Sequence, residues 1–494
     1  MSVKVVYVHG WSVTNLNTYG EMPLRLKTEA QKNGIDIEID EIYLGRYISF
    51  HDEVAVDDIS RAFDTAIKEK YNGQARFICI THSTGGPVIR NWWHKYYKTS
   101  IPPISHLIML APANFGSALA QLGKGKLSRI LSWFEGVEPG QKVLDWLECG
   151  SDESWKLNKD WITGDESPIG PDGIFPFVIT GQSIDRKLYD HLNTYTGELG
   201  SDGVVRTASA NLNSTYIKLI QKEISGNGNQ ITIAPELEVA EYKESPVTPL
   251  RVIKDKSHSG DTMGILKSVK KEVSDIKSKD TVSAILECIK VKDENEYKLL
   301  INKFNDETLQ VQKDELIEKD KEVFVITRYF FHDRFSQIIF RLTDSQGYSV
   351  KDYDLIFTAG KENDANHLPP GFAVDRQQNK KNPETITYYL NYDAMKGTPK
   401  NKHRGKLPGT DALGLIVRPR PTEGFIRYIE CRIDASGDLL DKAIKPNSTT
   451  LIDIVIQRVV SKEVFRFEPL TGTSMPSDKE GNFKDIKPGT EIVQ

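Results

Sequence analysis

Residues 77–88, Phe-Ile-Cys-Ile-Thr81-His82-Ser83-Thr84-Gly85-Gly86-Pro87-Val88, set a serine between a buried apolar run and the start of a helical pattern. A sharp strand-to-helix turn holds such a serine in a strained backbone and projects its hydroxyl above the sheet, where it can act as a nucleophile. The turn needs small neighbours two residues before and two residues after. Gly85 meets the second condition, whereas Thr81 stands where glycine is usual and makes the turn tighter. The competing reading is a helix N-cap, in which Ser83 or Thr84 satisfies the first free backbone N–H groups.

A serine nucleophile needs a base, and the base needs an acid to orient it. Of the ten histidines, His258 lies in Lys256-Ser-His258-Ser-Gly-Asp-Thr-Met-Gly264, after the strand-like residues 250–253 and before a helical pattern over 260–273. His51, His94, His106 and His191 fall before or between the expected sheet elements and read as surface or packing residues. Two acids compete. Asp202 sits in the Gly-flanked stretch Glu198-Leu-Gly-Ser-Asp202-Gly-Val-Val-Arg206, and Asp185 follows the strand-like residues 175–180. The plain alternative for Asp202 is a turn aspartate bonded to its own backbone.

These residues need a frame. Apolar runs at 3–8, 35–44, 76–81 and 106–110 read as strands, and the segments 22–33, 54–71 and 87–97 between them carry helical spacing. Strand and helix alternating in this order imply a parallel sheet covered on both faces. Further strands are expected at 175–180, 216–220 and 250–253. Between 117 and 173 the pattern breaks into short amphipathic pieces carrying Trp133, Trp146, Trp155 and Trp161, four of the seven tryptophans. That segment reads as a helical insertion.

Over residues 1–265 the chain resembles the α/β-hydrolases, and within them the lipase branch. The resemblance rests on Val8-His9-Gly10-Trp11 after the first strand, His82-Ser83-Thr84-Gly85-Gly86 at the elbow, and Ala111-Pro-Ala-Asn-Phe-Gly-Ser117 after the next strand. It implies the chain order Ser83, then Asp202, then His258 for the catalytic residues, since many lipases carry a similar Asp-Gly-Val-Val stretch with the acid at this Asp. Asp185 stays open as the other acid. The resemblance further implies an oxyanion hole from the backbone amides of Trp11 and Thr84, with His9, Gly10 and His82 on the substrate side, and no metal or other cofactor. The insertion falls where such enzymes carry a lid, and residues 127–134 place apolar groups on one helical face, as a lipid surface or acyl chain would require; aromatic packing inside a helical cap is the other reading of the same segment. The expected activity is therefore ester hydrolysis on a lipid, as a lipase or phospholipase. Alternatives are a serine hydrolase of a glycan ester, amide or thioester, and a non-catalytic binding module on the same fold.

Composition is consistent with this and excludes other classes. The 494 residues suit two or three domains. The 64 Lys and Arg against 69 Asp and Glu leave −5, which excludes a nucleic-acid binder working by bulk positive charge. The aromatic content argues against a largely disordered chain. Cys79, Cys149, Cys288 and Cys431 have neither Cys-x-x-Cys spacing nor a disulfide framework, so four reduced, mostly buried thiols are expected. The N-terminus reads as a strand rather than a signal peptide, and no apolar stretch approaches the roughly 20 residues of a spanning helix. The expected location is the cytoplasm of the producing cell, with any secretion by a signal-independent route.

Residues 266–322 are dense in Lys, Glu and Asp and read as a charged helical connector. Residues 323–494 show seven strand-like runs separated by Gly, Pro, Asn and Asp clusters, which suggests an all-β, sandwich-like accessory domain. No catalytic constellation is evident there: Asp344, Asp352 and Asp354 read as turn acids, and His332, His367 and His403 lack ligand spacing. This architecture is similar to that of antibacterial type VI lipase effectors. That likeness implies a lipid or membrane substrate and a delivery or immunity partner held through the β domain. The residues of that half leave a membrane, a glycan and a delivery partner open, and the charge balance points to no nucleic acid.

Overall fold

The computed structural model describes residues 2–9, 18–49, 51–122, 140–164, 169–184, 198–225, 231–321 and 327–460. Gly10, Trp11, the residues 127–134 expected to form a lid face, Trp133 and Asp185 lie outside them.

The chain begins with β1 (Val3–His9), α1 (Met22–Lys32), β2 (Ile37–Tyr43), α2 (Val56–Tyr71), β3 (Phe77–His82), α3 (Gly85–Tyr96) and β4 (Ile104–Leu110). Two helices follow, α4 (Gln141–Leu147) and α5 (Asp152–Thr163), then β5 (Phe175–Gly181), α6 (Thr207–Ala210), the hairpin β6 (Ser214–Ser225) and β7 (Ile231–Glu244), and β8 (Leu250–Ile253). Helices α7 (Lys279–Lys290) and α8 (Glu294–Asp314) precede the C-terminal strands.

The first sheet is six-stranded and all parallel, in the order β2-β1-β3-β4-β5-β8. Its inner strands, such as β3 and β5, are buried apolar runs because helices cover both faces, while the edge strand β2 interleaves apolar and acidic residues. On one face α2, α3 and α4 contribute Ile59, Phe63, Val88, Ile89, Trp92, Val143 and Leu144. On the other, α1, α7 and α8 contribute Leu26, Ala30, Ile285, Leu286, Ile289, Leu300 and Phe304. The sequence winds from β1 outward to β2, then back across to β3. This reversal leaves a crevice at the carboxyl ends of β1 and β3, the place where open α/β sheets hold ligands.

The second sheet has nine strands in the order β12-β15-β17-β7-β6-β18-β11-β14-β13. Its new members are β11 (Phe335–Asp344), β12 (Tyr353–Ala359), β13 (Ala373–Gln378), β14 (Thr385–Asn391), β15 (Leu413–Pro419), β17 (Cys431–Ser436) and β18 (Thr449–Ile456). Two short pairs stand apart, β9 (Ile317–Lys321) with β10 (Thr327–Phe331), and β16 (Ile426–Arg427) with β19 (Val459–Val460). The large sheet curls until its two ends meet. The ring of Phe357 on β12 lies 5.1 Å from that of Tyr388 on β14, and Tyr388 OH donates to the Leu355 carbonyl at 3.1 Å. One sheet folded over itself thus builds a sandwich-like core around Phe340, Phe357 and Tyr388.

Three segments differ from the sequence expectation. Strand β6, expected beside the hydrolase strands, joins the second sheet, parallel to β18 with Thr449 opposite Ser214. It pairs antiparallel with β7 through a short connection, and a hairpin of that kind cannot extend an all-parallel sheet, which requires crossovers. Helices α7 and α8 are a covering layer of the first sheet rather than a connector: Val282, Ile285, Leu286, Ile289 and, on α8, Tyr297, Leu300 and Phe304 are buried at helical spacing beneath a charged exterior. Finally, 260–273 is a run of turns instead of a helix. The buried Arg25 guanidinium donates to the carbonyls of Lys270 and Val273 at 3.2 and 3.1 Å, so those oxygens are held by α1 and not by a helical ladder.

In the described part of the 117–173 insertion, Trp146 and Trp155 are buried, as packing inside a helical cap would require. Trp146 joins the core beneath α4, and Trp155 lies between the two sheets with Tyr216, Ile339 and Leu451. All four cysteines are buried free thiols. Among the described residues no helix is long and apolar enough to cross a membrane.

Candidate active site

Ser83 follows β3 directly and has φ +53°, a left-handed conformation that costs a non-glycine residue free energy and recurs at functional sites. The fold fixes it there. Ser83 N donates to the Leu110 carbonyl at 2.9 Å, which ties the turn to the end of β4. A Cβ on Gly86 would stand 2.7 Å from Pro112 Cβ, and one on Gly85 would stand 3.1 Å from Thr81 Cβ. The latter contact explains Thr81: the space that a glycine usually leaves at this position is supplied from the other side of the turn by Gly85.

His258 comes from the turn after β8. That turn passes so close to the end of β5 that a side chain on Gly181 would overlap the Lys256 carbonyl. Ser183 N donates to the same carbonyl at 3.1 Å and fixes the approach. Asp202 lies in the loop between β5 and α6. The three side chains form one hydrogen-bonded line, with His258 Nε2 3.0 Å from Ser83 Oγ and His258 Nδ1 2.9 Å from Asp202 Oδ2. An ionised carboxylate only accepts, so Nδ1 carries the proton and Nε2 presents its lone pair to the serine hydroxyl.

The two carboxylate oxygens of Asp202 have separate partners. Oδ2 takes the histidine, and Oδ1 accepts the backbone amides of Val204 and Val205 at 3.0 and 2.8 Å. A backbone bond from His258 N to the Asp202 carbonyl, 2.9 Å, adds a second link between the two residues. Asp202 and His258 have no exposed surface, while Ser83 keeps 9 % of its own, so the line is reached from its serine end.

Of the remaining residues singled out in the sequence, Thr84 immediately precedes α3, in whose first turn Gly86 N donates to the Ser83 carbonyl at 3.2 Å. His82 lies against His258, their ring centroids 4.8 Å apart, and its Nε2 donates to the His258 carbonyl at 3.3 Å. Burial, with the neighbouring His258 second, holds the His82 imidazole well below its usual pKa and keeps it neutral. His9 is packed between aromatic rings, stacked on Tyr43 at 4.3 Å and edge-on to Tyr19 at 4.9 Å. Burial lowers its pKa too, opposed by Glu41.

Sequence reasoning missed the residues that hold the loop carrying Asp202, above all Arg206, which pairs with Glu198 in the same loop and with Gln337 and Asp375 on distant strands. Its local signals were its position four residues after Asp202 and the opposite charge of Glu198 at the start of the same short loop.

A parallel α/β sheet that presents a left-handed serine at its switch point, backed by a buried His–Asp pair, defines a serine hydrolase of the α/β-hydrolase fold. Phospholipase PlaB from Legionella pneumophila superimposes with a TM-score of 0.83 at 41 % sequence identity, covering 98 % of this chain and 99 % of that one. The same phospholipase in complex with thio-NAD gives a TM-score of 0.82 at 41 % identity, covering 97 % and 98 %. The chain belongs to the family of that phospholipase. No protein-family model matches it, and no curated protein sequence does.

Proposed function

We propose that the protein is a phospholipase in which Ser83 is the nucleophile, His258 the general base and Asp202 the acid that orients it. The observation that carries this reading is the unbroken line Ser83–His258–Asp202, with the serine in a left-handed backbone. Ser83 Oγ attacks the ester carbonyl as its proton passes to His258 Nε2. The tetrahedral intermediate collapses, the C–O bond to the leaving alcohol breaks, and His258 returns the proton to that alcohol. A water molecule, deprotonated by the same histidine, then cleaves the acyl-enzyme and frees the fatty acid. Asp202 keeps the tautomer in place and stabilises the transient imidazolium. The Thr84 amide, with Trp11 as the expected second donor, binds the oxyanion, worth roughly 3–4 kcal/mol per donor.

The lipid substrate comes from family membership, since the related protein is a phospholipase. The test has two arms. A fluorophosphonate probe labels the native protein and fails to label Ser83→Ala, which also loses hydrolysis of short acyl esters; full hydrolysis by Ser83→Ala removes the assignment. Mass spectrometry of products from phospholipid vesicles, triacylglycerol emulsion and an acetylated glycan then shows free fatty acid and lysophospholipid from the first. Release of acetate alone would move the enzyme to the non-lipid class.

A further inference from the structure

The loop carrying Asp202 is not held by the first sheet alone. Arg206, at its end, is buried and grips Glu198, at its beginning, with two parallel bonds: Nε to Oε2 at 2.8 Å and Nη2 to Oε1 at 2.9 Å. This closes residues 198–206 into a ring around the acid. The same guanidinium reaches the second sheet, where Nη2 donates to Asp375 on β13 and Nη1 to Gln337 Oε1 on β11 at 3.2 Å. Its planar face rests on the ring of Tyr389 on β14, 4.2 Å from the centroid. Tyr389 OH in turn donates to the Leu199 carbonyl at 3.0 Å. Between these contacts the backbone presses flat on the second sheet at Gly200, where φ is +73° and a Cβ would run into the Phe335 ring and the Tyr389 hydroxyl.

We propose that Arg206, through Asp375, Gln337 and Tyr389, is a positioning residue that makes the second sheet the back wall of the active site and sets Asp202 against His258. This rests on the assignment of Ser83, His258 and Asp202 made above. The bidentate fork fixes direction as well as distance, and three strands of the second sheet meet at one guanidinium. The arrangement is electrostatically self-consistent: burial alone would lower the pKa of Arg206, but the paired carboxylates outweigh it and keep the charge in place. The β-rich half is therefore part of the catalytic framework and not merely an appended binding module.

The experiment uses the full chain with Arg206→Gln, Asp375→Asn and, for comparison, Lys159→Gln. Lys159 makes another contact between the halves, 3.0 Å to Asp453, away from the acid loop. Asp375 lies at the sheet edge and is partly exposed, so its variant folds even if loss of the buried Arg206 does not permit folding. Below their Tm values, Arg206→Gln and Asp375→Asn are expected to lower kcat on a short-chain nitrophenyl ester about 10–100-fold, with KM within about twofold. Lys159→Gln is expected to lower Tm and leave kcat unchanged. In an Asp202→Asn background neither loop variant is expected to slow the reaction further, because both act through that carboxylate. Unchanged kcat in folded Asp375→Asn, an equal loss from Lys159→Gln, or a full further loss in the Asp202→Asn background each overturns the proposal. Activity retained by Ser83→Ala is a different failure and strikes the underlying assignment instead.

Discussion

At the residue scale the site depends on how two carboxylate oxygens are shared out. Asp202 Oδ1 is committed to two backbone amides, so only Oδ2 is left for His258. An amide NH2 in place of Oδ2 would face the Nδ1 proton and force the wrong tautomer. Asp202→Asn is therefore expected to lower kcat by about 10⁴ with little change in Tm, read by steady-state kinetics and thermal melting. Gly85 and Thr81 make a second coupled pair. Gly85→Ala sets a methyl against Thr81 and is expected to cost about 1–3 kcal/mol in denaturant unfolding. Adding Thr81→Gly should recover much of that loss, and simple additivity of the two would contradict the contact. Protonation acts at the same scale. Burial lowers the pKa of His106, whose Nε2 donates to the Val291 carbonyl at 2.8 Å, to about 4 from a usual 6.5. The unfolded chain thus takes up this proton at a higher pH than the folded one, and stability falls as pH drops from about 6.5 toward 4. Tm measured at pH 7 and pH 4.5 should show the decline, and His106→Gln should lessen it.

At the element scale, legibility in the sequence followed the range of the interactions. The turn at Ser83 could be read because strand, serine, glycines and helix are contiguous. Chain order and a Gly-flanked loop were enough to single out His258 and Asp202. Helices α7 and α8 were misread because their apolar residues recur every three or four positions within a segment dominated by Lys, Glu and Asp, so composition masked periodicity. Their true role predicts that Ile285→Ala, which empties a fully buried position, destabilises the protein by about 2–5 kcal/mol in chemical denaturation. A connector would show almost nothing. The destination of β6 was hidden for another reason: its partner β18 lies more than 200 residues later, and nothing local records such a pairing. The second-sheet partners of Arg206, Gln337 and Asp375, were hidden in the same way.

At the scale of the whole molecule, the two sheets are interleaved along the chain. Residues 214–244 leave the first sheet, form two central strands of the second, and return to place β8 and His258. A chain ended after residue 265 would carry both strands without the neighbours that bury them. It is expected to be aggregated and inactive in size-exclusion chromatography and esterase assays, even though it contains Ser83, Asp202 and His258. The position of β18 has a further consequence, one of timing. That strand, residues 449–456, lies between β6 and β11 near the middle of the second sheet, so the sheet cannot close until almost the whole chain has left the ribosome. Pairings so distant in sequence also form slowly. With Arg206 bound to that sheet, the loop carrying Asp202 is expected to be the last part of the site to be secured. Esterase activity is therefore expected to appear only after residues 449–456 have been made, which assays of chains stalled before and after that strand would check.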